Sequence, residues 1–202
     1  MNDLDSNIVE IYQRHARAWV DARLQAKTLQ ERDWLDRFCR IVPQSGSVLD
    51  LGCGAGAPIA EHLCEKGYSI TGVDSSPQMA TMFQARLPRE KILVADMREL
   101  SLDRLFEGII AWDSFFHLNH DDQRRMFPIF RLHAASRAAL MFTSGTEYGE
   151  AIGSLEGEAL YHASLNTEEY RQLLDDEGFD VVTIVVEDPT CGGHTVWLAQ
   201  LR

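Results

Sequence analysis

Basic residues are scarce in this sequence: 19 Lys and Arg stand against 31 Asp and Glu, a formal net charge of −12. Nucleic-acid binders gain affinity by neutralising phosphates with Lys and Arg. The deficit therefore argues against a DNA or RNA partner and for a small-molecule one. Cysteine is also sparse. Cys39, Cys53, Cys64 and Cys191 include no C-x-x-C pair, so no zinc site is signalled and no metal is expected. Long apolar runs are missing: a stretch such as Val181–Val186 is far too short to cross a membrane. The first residues, MNDLDSNIVE, lack a basic region followed by an apolar stretch. No signal peptide is expected, and the four thiols fit a reducing, cytoplasmic setting. Internal repeats and low-complexity segments are absent. What is present is 202 residues with 45% hydrophobic content, which suits one domain spanning 1–202 with a full core.

Apolar positions at Ile8, Ile11, Trp19, Leu24, Trp34, Leu35 and Phe38 predict two helices between about Ile8 and Val42. Pro43 and Gly46 close this part, residues 1–43, which reads as an N-terminal helical cap. From Ser47 the pattern alternates. Strands are expected at Ser47–Leu51, Tyr68–Val73, Ile92–Ala95, Gly108–Trp112 and Ala138–Phe142. Helices are expected at Pro58–Lys66, Ser76–Arg86 and Asp121–Ala135. Residues 143–165, rich in Gly and Glu, break the rhythm, with only a brief possible strand near Leu160–Ala163. Segments this long are often lids or binding loops, and 144–165 is read as a substrate-covering insertion. A helix at Thr167–Glu177 follows, then strands Phe179–Val186 and His194–Leu201. The short link between those two suits a hairpin, so the last strand should be antiparallel. Strand–helix alternation predicts an α/β fold: a mostly parallel sheet with helices on both faces and a ligand at the carboxyl ends of the strands.

The most informative segment is VLDLGCGAGAP, Val48 to Pro58. Gly52, Gly54 and Gly56 lie between a strand and a helix, where glycine lets the backbone turn tightly and approach a ligand. The spacing Gly52-x-Gly54-x-x-Ala57 also matches the dinucleotide fingerprint. By itself the loop suits either a nicotinamide cofactor or S-adenosylmethionine (SAM). Asp50, two residues before the first glycine, would repel a pyrophosphate but attract a sulfonium or ammonium. Asp74, about 20 residues past the glycines, stands where an acidic side chain accepts hydrogen bonds from ribose hydroxyls. Asp96 ends the third strand, where it can accept from an adenine amino group while Met97 packs on the ring.

With these residues in place the chain resembles class I SAM-dependent methyltransferases, specifically small bacterial methyltransferase-domain proteins. VLDLGCGAG looks like their first motif, GVDSS their second, VADMREL their third and GIIAWDSFFHL their fourth. The resemblance covers roughly Leu35 to Arg202. It implies a Rossmann-like, seven-stranded sheet with an antiparallel last strand. It implies that Asp50, Gly52 and Gly54 line the methionine part of SAM, with Trp112 and Asp113 beneath. Asp74 would hold the ribose, Ser75 and Met79 would flank the adenosine, and Asp96 and Met97 would hold the adenine. An N-terminal helix often folds over the cofactor in such enzymes, which makes Tyr12 and Trp19 candidates.

Methyl transfer needs alignment, exclusion of water and, for some acceptors, a base. His117, after the fourth strand, is the candidate base and also a candidate substrate contact. Phe116, Tyr161, His162 and His194 are the other candidate substrate contacts, and Cys191 lies near them in sequence. Phe115, Tyr148 and Leu155 suggest a partly apolar pocket. WDSF stands where amino-methylating nucleic-acid enzymes carry an Asn/Asp-Pro-Pro-aromatic tetrad, which again disfavours nucleic acid. The expected activity is SAM-dependent methyl transfer to a small-molecule nucleophile. The alternatives are an NAD-dependent oxidoreductase and a SAM-binding protein without catalysis.

Overall fold

Val48, Leu49 and Leu51, with Ile109, Ile110, Leu140 and Met141, are buried on both faces of a central sheet, as their near-continuous apolar runs require of parallel strands. The computed structural model describes residues 7–25 and 29–202. The main sheet has seven strands: β1 (Ser47–Leu51), β2 (Ser69–Asp74), β3 (Lys91–Val94), β4 (Phe106–Ala111), β5 (Ala134–Ser144), β8 (Phe179–Asp188) and β9 (His194–Leu201). Their order is β3-β2-β1-β4-β5-β9-β8. All pairings are parallel except those of β9, which is antiparallel to both β5 and β8. The expected topology, with its antiparallel last strand, is therefore the observed one. After β3 the chain returns to the other side of β1 to make β4. That reversal opens a crevice at the carboxyl ends of β1 and β4.

Helices cover both faces. On one, Phe127 and Phe130 of α5 (His120–His133) and Tyr170 and Leu174 of α6 (Thr167–Asp176) pack on Leu140, Phe142 and Trp197. Phe142 and Trp197 stack with centroids 5.6 Å apart. On the other, Trp34, Leu35 and Phe38 of α2 (Arg32–Cys39), Leu63 of α3 (Ile59–Glu65) and Phe83 of α4 (Pro77–Arg86) pack on Val48, Ile70 and Met141. Gly108 lets α2 approach, because a Cβ there would stand 2.4 Å from Phe38 Cζ. Gly108→Ala should cost about 1–3 kcal/mol through overpacking. Denaturant unfolding reads this, and an unchanged midpoint would mean that α2 shifts freely.

The N-terminal part divides. α1 (Ile8–Gln25) alone lies over the carboxyl ends of the strands, whereas α2 belongs to a face of the sheet. This narrows the cap read at 1–43; residues 1–6 and 26–28 of that segment lie outside the described residues.

Residues 143–165 differ from the expected long loop. β5 runs on to Ser144, and β6 (Gly149–Leu155) and β7 (Glu158–Ser164) form a separate antiparallel hairpin. Glu156 (φ 50°) and Gly157 (φ 84°) make its two-residue turn, for which consecutive positive φ values are required. Gly149, Gly153 and few β-branched residues hid β6 from its alternation. The helix before β5 also stops at His133, so β5 begins four residues earlier than expected, at Ala134.

α1 is fastened to both neighbours. Ala16 and Val20 pack on Ala55 and Met79, while Ile8 and Ile11 pack on Leu155, Leu160 and Tyr161 of the hairpin. Arg14 donates to both carboxylate oxygens of Glu158, and Gln13 accepts from Ser76 Oγ and Gln78 N. Among the described residues, no helix is long and apolar enough to cross a membrane.

Candidate functional site

A cleft runs along the carboxyl ends of β1, β2 and β4 beneath α1. Its floor is the glycine loop. Gly52 N and Cys53 N donate to Val73 O (2.7 and 3.2 Å), which ties the loop to β2. Gly52, Gly54 and Gly56 all have positive φ. At Gly52 the backbone passes so close to the segment after β4 that a Cβ would lie 2.2 Å from Ser114 Cβ. At Gly54, by contrast, an added Cβ meets nothing within 4 Å. The loop is thus packed from below at one glycine and open above at the next.

Asp50 and Asp74 stand at the ends of adjacent strands. Asp50 is buried, and among the described residues its carboxylate has no hydrogen bond or ion pair. Burial, helped by Asp74, pushes its pKa up to about 7. Asp74 is held instead: Oδ2 accepts from Gly54 N (2.9 Å) and Oδ1 from Ser76 N (2.8 Å). Burial raises its pKa while these bonds oppose the shift. Ser76 caps α4 by accepting from Met79 N, with Pro77 next, as local sequence rules lead one to expect. That cap places Met79 against the cleft.

At the end of β3, Asp96 and Met97 line the cleft. Asp96 is already engaged: both its oxygens accept from Arg98, whose guanidinium also reaches Asp122 at 2.8 Å. The carboxylate expected at this end is therefore present and ion-paired. Ser75 lines the cleft too, although its hydroxyl donates to Ala95 O.

At the other end, Trp112, Asp113 and Ser114 follow β4. Among the described residues, Trp112 Nε1 and Asp113 Oδ1 have no hydrogen-bond partner and are buried. His194 Nε2 stands 3.5 Å from Asp113 Oδ1, and desolvation raises the Asp113 pKa against that partner. Arg23 also lines the cleft, paired with the buried Glu31. Arg23 was not singled out in the sequence. Its spacing of four from Trp19 and eleven from Tyr12, one helical stripe, is the signal that could have found it.

Tyr12 and Trp19 project from α1 into the cleft, ring edge to ring face at 5.5 Å. Tyr12 Oη lies 3.0 Å from His117 Nε2, and His117 Nδ1 lies 2.8 Å from the carbonyl of Tyr161. Tyr161 thus meets the site through its backbone, while its hydroxyl donates to Glu150. The rings of His117 and His162 stack at 4.8 Å, and Phe116 packs against both and against His194. Cys191 and Phe115 are core residues, and Leu155 is buried under α1. No group of three or more His, Cys, Asp or Glu among the described residues could hold a metal ion.

Residues 48–134, which carry this cleft, match the methyltransferase-domain family. Over this stretch the chain is similar to methyltransferase domains. YqeM of Bacillus subtilis, named for methyl transfer, is 33% identical over 113 residues, covering 54% of this chain and 44% of that protein. The chain thus spans less than half the length of this relative. Two solved structures share the methyltransferase fold. SAM-bound CalS10, an amino pentose methyltransferase of Micromonospora echinaspora, superposes with TM-score 0.73 at 16% identity, covering 92% and 97% of the two chains. A Burkholderia thailandensis 1,6-didemethyltoxoflavin-N1-methyltransferase with bound S-adenosylhomocysteine (SAH) superposes with TM-score 0.71 at 18% identity, covering 98% and 86%.

SAM is bound in the first of these neighbours and SAH in the second, and the residues lining this cleft suit such a ligand. The cleft offers an unpaired buried carboxylate for a cation, an arginine for a carboxylate and open backbone at Gly54.

Proposed function

We propose that this chain transfers the methyl group of SAM to a small-molecule nucleophile. Asp50 carries the reading: a buried, unpartnered carboxylate under the glycine loop suits a cationic ligand and opposes a pyrophosphate. That same charge weighs against an NAD-dependent oxidoreductase. In this reading Asp50 faces the ammonium of the methionine part and Arg23 its carboxylate, with Trp112 and Asp113 alongside. Asp74, oriented by Gly54 N and Ser76 N, serves the ribose. Met79, Met97 and the Asp96–Arg98 pair surround the adenosine. When bound, SAM supplies an activated methyl group for in-line displacement.

The protein's part is alignment. A carbonyl can only accept, so His117 must carry its proton on Nδ1. Its Nε2 lone pair is then left to accept from the Tyr12 hydroxyl. Burial holds the His117 pKa down at about 4, so the ring stays neutral. His117 is thus read as a positioning residue that fixes Tyr12 at the cofactor end of the cleft; its Nε2 is occupied, which disfavours the role of base. Tyr12→Phe and His117→Asn should each lower kcat by roughly 5–30-fold, the worth of one or two such bonds. The double variant should lose no more than either single one. SAM affinity should stay within about threefold in all three, since the pair is spent on alignment. Additive losses would mean that the residues act separately.

A small acceptor is supported by the acidic chain, and the two structural neighbours are an amino pentose methyltransferase and a 1,6-didemethyltoxoflavin-N1-methyltransferase. Transfer of labelled methyl from SAM to a panel of phenols, amines and carboxylic acids tests the activity. Labelled product from any class supports it. Tight SAM binding with no transfer to any class would favour a non-catalytic SAM-binding protein. The segment 144–165, as the β6–β7 hairpin, is read as the cover of the acceptor side, within one domain spanning 1–202.

A further inference from the structure

One arginine bridges the β3 end of the cofactor cleft. Asp96, Met97, Arg98 and Asp122 line that end. Arg98 Nε and Nη2 donate to Asp96, after β3, at 3.0 and 2.6 Å, and Nη1 donates to Asp122, in the first turn of α5, at 2.8 Å. Both anchors are themselves held. Asp96 also accepts from the Arg98 backbone N–H at 2.9 Å. Asp122 is buried and accepts from Arg125 Nη1 (2.9 Å) and Asn119 Nδ2 (3.2 Å). Its side chain is 9% exposed against 42% for Arg98, so the bond at the α5 end is the less screened one.

The same bonds occupy Asp96. Its Oδ1 accepts from Arg98 N and Nε, and its Oδ2 from Nε and Nη2. A carboxylate offers about four acceptor positions, so little capacity is left for another donor. The amino group of a base arriving here meets a satisfied carboxylate. Beyond it lies a guanidinium strapped from one wall of the cleft to the other.

We propose that the base is selected at this end by shape and not by a hydrogen bond to Asp96. Arg98 is the specificity-determining residue: its strap rejects cofactors enlarged at the amino group of the base and tolerates loss of that group. The inference rests on the methyltransferase reading, which puts the adenine at this end of the cleft. Asp122 acts through Arg98 and is a positioning residue.

Three ligands test this in calorimetric titrations of the full chain: SAH, its analogue with purine in place of adenine, and its analogue benzylated on the amino group. The purine analogue should bind wild type within about threefold of SAH, whereas a lost bond to a charged acceptor would cost about tenfold or more. The benzyl analogue should bind at least about tenfold more weakly than SAH, because its ring overpacks the strap. Arg98→Ala should cut that benzyl penalty to within about threefold. It also frees Asp96, so the purine analogue should then bind several-fold more weakly than SAH. Asp122→Asn loosens only the far anchor and should cut the benzyl penalty in part. Each readout is a ratio to SAH on the same protein, so a general change in affinity cancels. The wild-type comparison decides by itself should a variant fail to fold. A benzyl analogue that binds wild type as tightly as SAH, or a purine analogue that loses about tenfold, would overturn the proposal and leave the cofactor reading standing. Failure of SAH itself to bind would overturn both.

Discussion

Affinity for SAM should rise about tenfold per pH unit up to about pH 7 and then level off. Asp50 is the cause. Its pKa in the folded chain is about 7 against an ordinary value of 3.8, because burial and Asp74 both disfavour the charge. A cationic ligand needs the charged form, so below about pH 7 binding must first expel a proton. The same shift acts on stability with a definite sign. Between about pH 4 and pH 7 the folded protein holds a proton that the unfolded chain has released, so stability without ligand falls as pH rises through that window. A displacement of about three units corresponds to about 4 kcal/mol across it. Asp50→Asn should therefore be the more stable protein at neutral pH and bind SAM weakly, with little pH dependence. Calorimetric titrations and denaturant melts over a pH series read both effects. A wild-type affinity that is flat below pH 7, or an Asn variant that binds as well as wild type, would remove Asp50 from the cofactor's charge.

Two neighbouring glycines should fail in different ways. At Gly52, φ is +72° and an added methyl would sit 2.2 Å from Ser114 Cβ. Ser114 cannot yield easily, because its hydroxyl donates to Leu51 O at 2.7 Å. Gly52→Ala should cost about 3 kcal/mol or more, combining left-handed strain with overpacking, and abolish SAM binding. At Gly54, φ is +53° but the space is open. Gly54→Ala should cost only about 1–2 kcal/mol of stability. Its methyl group would stand where the cofactor passes, so affinity should fall by at least about tenfold, the equivalent of about 1.4 kcal/mol. Thermal melts and SAM titrations on the pair separate the two failures. A Gly52→Ala protein that binds SAM normally would put the loop outside the site.

What could be read from sequence was what local chemistry determines. Asp50, Gly52 and Gly54 are within five residues of one another, and Asp74 follows by a spacing that one strand–helix–strand unit sets. Strand–helix alternation was enough for a mostly parallel sheet, and the short link before it for the antiparallel β9. Other features depend on contacts between distant segments. Arg23 becomes a cleft residue only when Glu31 holds it, and Ser114 becomes the wall under Gly52 only when β4 lies beside β1. The Tyr12–His117 pair joins residues 105 apart. Asp96 was legible as a strand-end carboxylate, but its pairing with Arg98 came from side-chain direction, which pattern does not encode. Of the hairpin at 149–164 only the brief strand near Leu160–Ala163, part of β7, was legible, because glycines and an exposed face weakened the alternation of β6.

The glycine loop admits either of two nucleoside cofactors, and in the proposed reading the buried carboxylate beneath it selects between them. Calorimetric titration of the same protein with SAM, SAH and NAD is the most direct test. The expected result is one-to-one binding of SAM and SAH and no detectable heat from NAD. NAD binding in the absence of SAM binding would contradict the assignment.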